Sequence, residues 1–237
     1  MVILFISLLF NAIFLLVGAI VVRRRGGIQY LRSKLSAEIP TQPAKSPYYL
    51  HRKQQLELLE INSNSIVFLG DSITNEGEWS EWFSEHDVRN RGISSDTVAG
   101  TIDRLDAVLI PSPRQLFLMI GINDLLSGTS IETLVQSYQQ LLSKIQSTAP
   151  ETEVFVQSIL PIHSQLLITA LSNEAIATVN QKLAEISRQF SYSYIDLFAV
   201  FSDAQGQLDR QYTLDGLHLN GLAYQHWQQQ ITGFVNA

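Results

Sequence analysis

Ser72, His218 and Asp215 are the residues of this chain with the right types to transfer an acyl group. Ser72 follows an apolar, β-branched run, Ile66-Val67-Phe68-Leu69, and the turn-forming pair Gly70-Asp71. Such a run reads as a buried strand that the glycine ends. The serine therefore falls at a strand's carboxyl end, where open α/β sheets bind their ligands. Gly-Asp-Ser alone is also an ordinary turn tripeptide; the distant segment Asp215-Gly216-Leu217-His218 sets it apart. A serine hydroxyl attacks a carbonyl when a base takes its proton, and His218 is the candidate base. The imidazole then needs its second nitrogen held and its developing charge balanced, and Asp215 can do both. The tetrahedral oxyanion needs donors. The backbone N–H groups of Ser72 and Gly92 and the side-chain amide of Asn123 are candidates. Glycine at position 92 allows the backbone to come close to a ligand.

Bringing these groups together is a task for the elements between them. Apolar runs predict strands over 66–69, 87–90, 115–120, 153–159 and 193–197. Helical spacing predicts helices over 78–84, 96–109, 131–147, 173–190 and 221–234, with Asp96 or Thr97 beginning the second. Residues 48–60 also have helical character and are expected to pack on the outside of the domain. Strands alternating with helices at this spacing predict a parallel sheet with helices on both faces. Beyond the first three strands and the fifth lie Ser72, Asn90-Arg91-Gly92-Ile93-Ser94, Gly121-Ile122-Asn123-Asp124 and Asp215–His218. All four polar or glycine-rich segments can meet over one edge of the sheet.

Gly70-Asp71-Ser72, Gly92, Gly121-Ile122-Asn123-Asp124 and Asp215-Gly216-Leu217-His218 resemble the four blocks of the SGNH (GDSL) hydrolase family. Tyr48-Tyr49-Leu50-His51-Arg52-Lys53, Gly77-Glu78-Trp79 and Val156-Gln157-Ser158-Ile159-Leu160-Pro161 resemble more narrowly the branch of platelet-activating-factor acetylhydrolase catalytic subunits. The resemblance covers residue 48 to the end. It implies a flavodoxin-like three-layer α/β/α sandwich on a parallel five-stranded sheet. It also implies ester or thioester hydrolysis through an acyl-serine, without a metal or cofactor. Ser72 would be the nucleophile, His218 the base, Asp215 its orienting acid, and Ser72, Gly92 and Asn123 the oxyanion hole.

Other residues of chemical type read more plainly. His51, His86, His163 and His226 make no metal-ligand spacing, so no metal site is expected. His163 reads as a solvated loop histidine rather than a wall of the acyl site. Asp124 reads as a hydrogen-bonding brace rather than a catalytic acid, Asp71 as a brace of its turn rather than a titrating group, and Trp79 and Trp82 as core rather than the floor of a substrate groove. There is no Gly-x-Ser-x-Gly elbow, no Gly-x-Gly-x-x-Gly and no P-loop, which disfavours an α/β-hydrolase and nucleotide binding.

The chain has 237 residues, a net charge of -6 and no cysteine, which excludes disulfides, thiolate metal sites and a cysteine nucleophile. Its acidic balance argues against a nucleic-acid partner. Val2–Val22 is almost wholly apolar and uncharged, and Arg23-Arg24-Arg25 follows it. A run of that length suits a bilayer core. The basic cluster stands after it rather than before it, unlike a cleaved signal peptide. Residues 1–25 are therefore expected to be a single-pass membrane anchor, 26–47 a juxtamembrane linker and 48–237 the catalytic domain. Basic residues after the span place the domain on the cytoplasmic side. The expected activity is that of a serine esterase removing a short acyl group, acetyl above all, from a glycan or lipid ester. Its rivals are a lysophospholipase or thioesterase for longer chains, and a non-catalytic carbohydrate or lipid receptor.

Overall fold

Strands apolar on both faces need helices on both faces. The computed structural model, which describes residues 45–236 and, before them, residues 7, 10, 11, 16–20 and 23, has that arrangement. The chain divides into two compact units, Met1–Lys45 and Ser46–Ala237. In the first, the described residues 7, 10, 11, 16–20 and 23 are helical and exposed. The expected anchor and linker lie largely outside the described residues, and among those described no helix is long and apolar enough to cross a membrane.

In the second unit the chain runs α1 (Pro47–Leu58), β1 (Ile66–Gly70), α2 (Ser72–Asn75), α3 (Trp79–Trp82), β2 (Val88–Gly92), α4 (Val98–Asp103) and α5 (Asp106–Leu109). It continues through β3 (Gln115–Met119), α6 (Ile122–Leu126), α7 (Ile131–Thr148), β4 (Glu153–Gln157), α8 (Asn173–Gln189), β5 (Ser193–Ile195), α9 (Leu197–Phe201) and α10 (Gly221–Val235). The five strands form one parallel sheet in the order β2-β1-β3-β4-β5.

Register is visible in three phenylalanines. Phe68, Phe117 and Phe155 are cross-strand neighbours on β1, β3 and β4, stacked at centroid distances of 4.9 and 4.6 Å. Trp79 of α3 stacks on Phe68 at 4.2 Å, and Phe234 of α10 packs on Phe155 at 5.3 Å. Those two helices therefore cover the aromatic face. Alternation turns Val67, Leu69, Leu116 and Leu118 to the other face, on the side of α4, α7 and α8, which pack against one another. Side-chain oxygens cap these helices: Thr97 accepts from Gly100 N–H on α4, Ser130 from Thr133 N–H on α7, and Ser172 from Ala175 N–H on α8.

Two expectations are corrected. The helix foreseen over 96–109 is split at Arg104, which leaves helical geometry and sends its side chain inward. The Asp215 segment does not follow directly on β5. After Ile195 come α9, a 3-10 turn at Arg210–Tyr212 and two isolated antiparallel bridges, Ser202 with Leu208 and Thr213 with Leu219. The second bridge pinches off the loop that carries Asp215 and His218.

Candidate active site

The serine is presented by a four-residue helix that could not stand alone. Asp71 begins α2, its Oδ1 accepting from Ile73 N–H at 3.0 Å. The helix's carbonyls then need partners, because a helix leaves its last C=O groups unpaired. Tyr224 of α10 donates its hydroxyl to Ile73 O at 2.7 Å, and Trp79 donates Nε1–H to Thr74 O at 2.8 Å. Asn90 Nδ2 donates to Thr74 O, Asn75 O and Gly77 O at 3.1, 3.1 and 2.9 Å. Ser72 is thus held from the sheet, from α3 and from α10, with 7% of its surface exposed.

The loop closed by Thr213 and Leu219 shapes the other half of the site. Asp215 Oδ1 accepts from the N–H groups of Leu217 and His218 at 2.9 and 2.8 Å, and its Oδ2 lies 2.7 Å from His218 Nδ1. Gly216 adopts φ +86°, and a Cβ there would lie 2.7 Å from the carbonyl oxygen of His163. The N–H of His163 in turn donates to Gly216 O at 2.9 Å. A carboxylate only accepts, so the hydrogen between His218 and Asp215 sits on Nδ1. That leaves Nε2 as an acceptor, 3.0 Å from Ser72 Oγ. The hydroxyl donates to it, and three side chains form one directed chain from Asp215 through His218 to Ser72. Partial burial pushes the Asp215 carboxyl up, but the hydrogen bonds from the His218 ring and the two backbone N–H groups outweigh it and hold it at about 2.

The expected oxyanion donors stand unequally. The N–H of Ser72 has no protein acceptor among the described residues. Asn123 Nδ2 donates to Asp96 O at 2.9 Å, which uses one of its two hydrogens. The Gly92 N–H is engaged by Asn90 Oδ1 at 2.9 Å. Position 92 also needs glycine for a reason other than ligand approach. A Cβ there would lie 2.3 Å from Asn75 N and 2.8 Å from Thr74 C, so the end of β2 rests against the backbone of α2.

Buried carboxylates stand behind these groups. Asp71 is pushed up to about 7, by burial first and by the charge of Asp96, against the Ile73 N–H bond. Asp124, whose Oδ2 accepts from Val98 N–H at 3.1 Å, is pushed up to about 6, mainly by burial. Asp71 braces its own turn, as expected, while Asp124 reaches across to the start of α4; that burial pushes the Asp71 carboxyl up to about 7 was not expected. His163 differs from expectation as well: it is 8% exposed rather than solvated, and its Nδ1 has no partner among the described residues. Trp79 is core, whereas Trp82 is exposed and joins Glu76, Glu78, Glu81 and Leu219 around a cleft of about 580 Å³. Among the described residues no cluster of His, Asp and Glu could hold a metal ion.

Tyr224 and Arg104 went unread in the sequence, and Asn90 and Tyr49 were named there only within longer segments. For Asn90 a signal existed: asparagine is depleted in strands, so one inside β2 asks for a reason.

The model of the GDSL-like lipase/acylhydrolase family matches residues 68–226, more than half of the chain. The chain belongs to that family. The family is one of lipases and acylhydrolases. Its fold is similar to that of a Streptococcus pneumonia protein provisionally assigned as a platelet activating factor. That similarity has a TM-score of 0.73 and 26% identity, over 79% of this chain and 92% of that one. It is also similar in fold to an acetyl xylan esterase, AlAXEase, with a TM-score of 0.60 and 20% identity over 72% of this chain and 99% of the other. Over 172 residues this GDSL hydrolase is 28% identical to the N-acylneuraminate cytidylyltransferase of Streptococcus agalactiae serotype V, across 73% of this chain and 39% of that protein. It therefore spans about two fifths of the length of that relative.

Proposed function

We propose that this GDSL hydrolase is a serine esterase that removes a short acyl group, acetyl first, from a polar alcohol. The observation that carries the proposal is the continuous chain from Asp215 Oδ2 to His218 Nδ1 at 2.7 Å and from His218 Nε2 to Ser72 Oγ at 3.0 Å. Ser72 Oγ attacks the ester carbonyl as His218 Nε2 takes its proton. Asp215, already charged, balances the imidazolium without accepting a proton itself. The oxyanion receives hydrogen bonds from Ser72 N–H and the second hydrogen of Asn123 Nδ2, with Gly92 N–H engaged by Asn90 in the resting state. His218 returns its proton to the leaving alcohol oxygen. Water, deprotonated by the same nitrogen, then cleaves the acyl-serine.

Support for a small acyl group and a polar alcohol comes from the surroundings. The cleft beside α2 is lined by Glu76, Glu78 and Glu81 together with Trp82, Leu219, Gly221 and Tyr224; its carboxylates offer acceptors to a hydroxyl-rich leaving group. The similarity in fold to an acetyl xylan esterase points the same way. Ser72→Ala should abolish turnover of p-nitrophenyl acetate, and rates should fall from acetate through butyrate to octanoate esters. Undiminished turnover by the variant sinks the mechanism, and a maximum at octanoate sinks the acyl preference.

The apolar run Val2–Val22 and the arginines at 23–25 support a second part of the proposal: a single-pass anchor with the catalytic domain on the cytoplasmic side. Digestion of the domain by protease added outside intact cells would reverse that orientation. Recovery of the full chain in a salt-washed soluble fraction would remove the anchor.

A further inference from the structure

We propose that Tyr49 and Asp96 are positioning residues that fix the Asn123 amide for the oxyanion, which rests on the role given to Asn123 above. Tyr49 lies on α1, before the segment that matches the family model. It is buried, and its hydroxyl donates to Asp96 Oδ1 at 3.0 Å, with Gly100 O at 3.4 Å.

Asp96 is the point at which the site's separate pieces are joined. Its carboxylate, 1% exposed, accepts from Tyr49, from Thr97 N–H at 3.0 Å, from Thr101 Oγ1 at 3.3 Å and from Arg104 Nε at 2.7 Å. Arg104 in turn donates to Arg91 O at 2.8 Å and Gly70 O at 3.1 Å, the carbonyls just before Gly92 and Asp71. It thereby ties together the ends of β2 and β1. The main-chain oxygen of Asp96 is the one that holds Asn123 Nδ2. An amide rotates freely about its last side-chain bond, so this oxygen decides where the second hydrogen points.

The turn that carries this oxygen needs outside support. Ser95, directly before Asp96, has φ +65°, a left-handed conformation that costs a serine energy. The four donors on the Asp96 side chain keep the turn in place, and Tyr49 is the one that comes from outside the segment. A buried carboxylate that loses a donor loses a charge-assisted bond, and the turn relaxes toward a less strained form. The Asp96 oxygen then moves and Asn123 with it. The first helix thus acts on the rate through a hydroxyl that never meets the substrate.

The test is a cycle of Tyr49→Phe, Asn123→Ala and the double variant, with kcat and KM measured on p-nitrophenyl acetate. Tyr49→Phe should lower kcat about tenfold, as for loss of one hydrogen bond to a charged group, with KM little changed and the fold intact by circular dichroism. In the Asn123→Ala background the same change should cost nothing further. Multiplying losses, or an unchanged kcat in Tyr49→Phe, overturn the proposal. Full kcat in Asn123→Ala alone instead overturns the oxyanion role itself. Should Tyr49→Phe fail to fold, Thr101→Val removes another donor from the same carboxylate. Its cost must also vanish in the Asn123→Ala background; an independent cost would overturn the part given to Asp96.

Discussion

Gly92→Ala offers a direct test of how the nucleophile is placed. The added Cβ would stand 2.3 Å from Asn75 N, 2.5 Å from Asn75 Cα and 2.8 Å from Thr74 C. Ordinary contact begins at 3.4 Å, so the end of β2 and the helix α2 must part by 3.4 − 2.3 = 1.1 Å along the shortest contact. Every clashing atom belongs to the backbone, so no side-chain rotation relieves it. The strand end is fixed in the sheet and by Arg104, which leaves α2 as the piece that moves. Ser72 opens that helix, and its Oγ sits 3.0 Å from His218 Nε2. A misplacement of about 1 Å can cost on the order of 10²-fold in rate, and overpacking costs about 1–3 kcal/mol of stability. Steady-state kinetics on p-nitrophenyl acetate and a thermal melt read the two effects. Gly233→Ala, in α10 where nothing lies within 4 Å of the new Cβ, serves as control: it should leave kcat unchanged and slightly raise the melting temperature. A Gly92→Ala enzyme with near-wild-type kcat would refute the reasoning, because α2 would then have room that the contacts deny it.

Other perturbations probe the acid, the buried charge and the core. Asp215→Asn should leave the fold intact and lower kcat by on the order of 10³–10⁴ by favouring the wrong imidazole tautomer; a loss confined to KM would contradict that role. Asp71 is held at about 7 in the folded chain against 3.8 in its ordinary state, so the native protein binds an extra proton between those values. Its contribution to stability is complete below about 3.8 and is lost as pH rises through about 7. Asp71→Asn, which keeps an oxygen for Ile73 N–H, should therefore raise the melting temperature more at pH 8 than at pH 4; the reverse order would show that the charge stabilises the fold. Asn180 exchanges two hydrogen bonds with the main chain of Ile159, at 2.9 and 2.8 Å. Asn180→Leu leaves a buried N–H and C=O unpaired and should cost about 2–6 kcal/mol by urea denaturation, whereas an unchanged midpoint would mean that the segment finds other partners.

Long elements were legible because their patterns repeat. The strand from Ile66, the apolar run from Gln115 and the helix over 173–190 stand within a residue or two of their expected ends. The short helices α2, α6 and α9 span too few residues for a period to show, and their stability comes from neighbours rather than from propensity. Arg104 illustrates the limit from another side. Its helical surroundings predict continuation, but a buried guanidinium with three acceptors around it ends the helix there.

Residue type and order alone determined the chemistry available: a hydroxyl after a strand, an imidazole with a carboxylate three positions before it, and an amide after another strand. Those follow from local sequence, because nucleophile, base and acid are properties of side chains. Which of the oxyanion candidates keeps a free hydrogen was decided only by tertiary structure. Gly92 meets Asn90, Asn123 meets Asp96, and Asp96 meets Tyr49 across 47 positions of sequence. A hydrogen bond depends on where two groups end up in space, and no spacing along the chain records that.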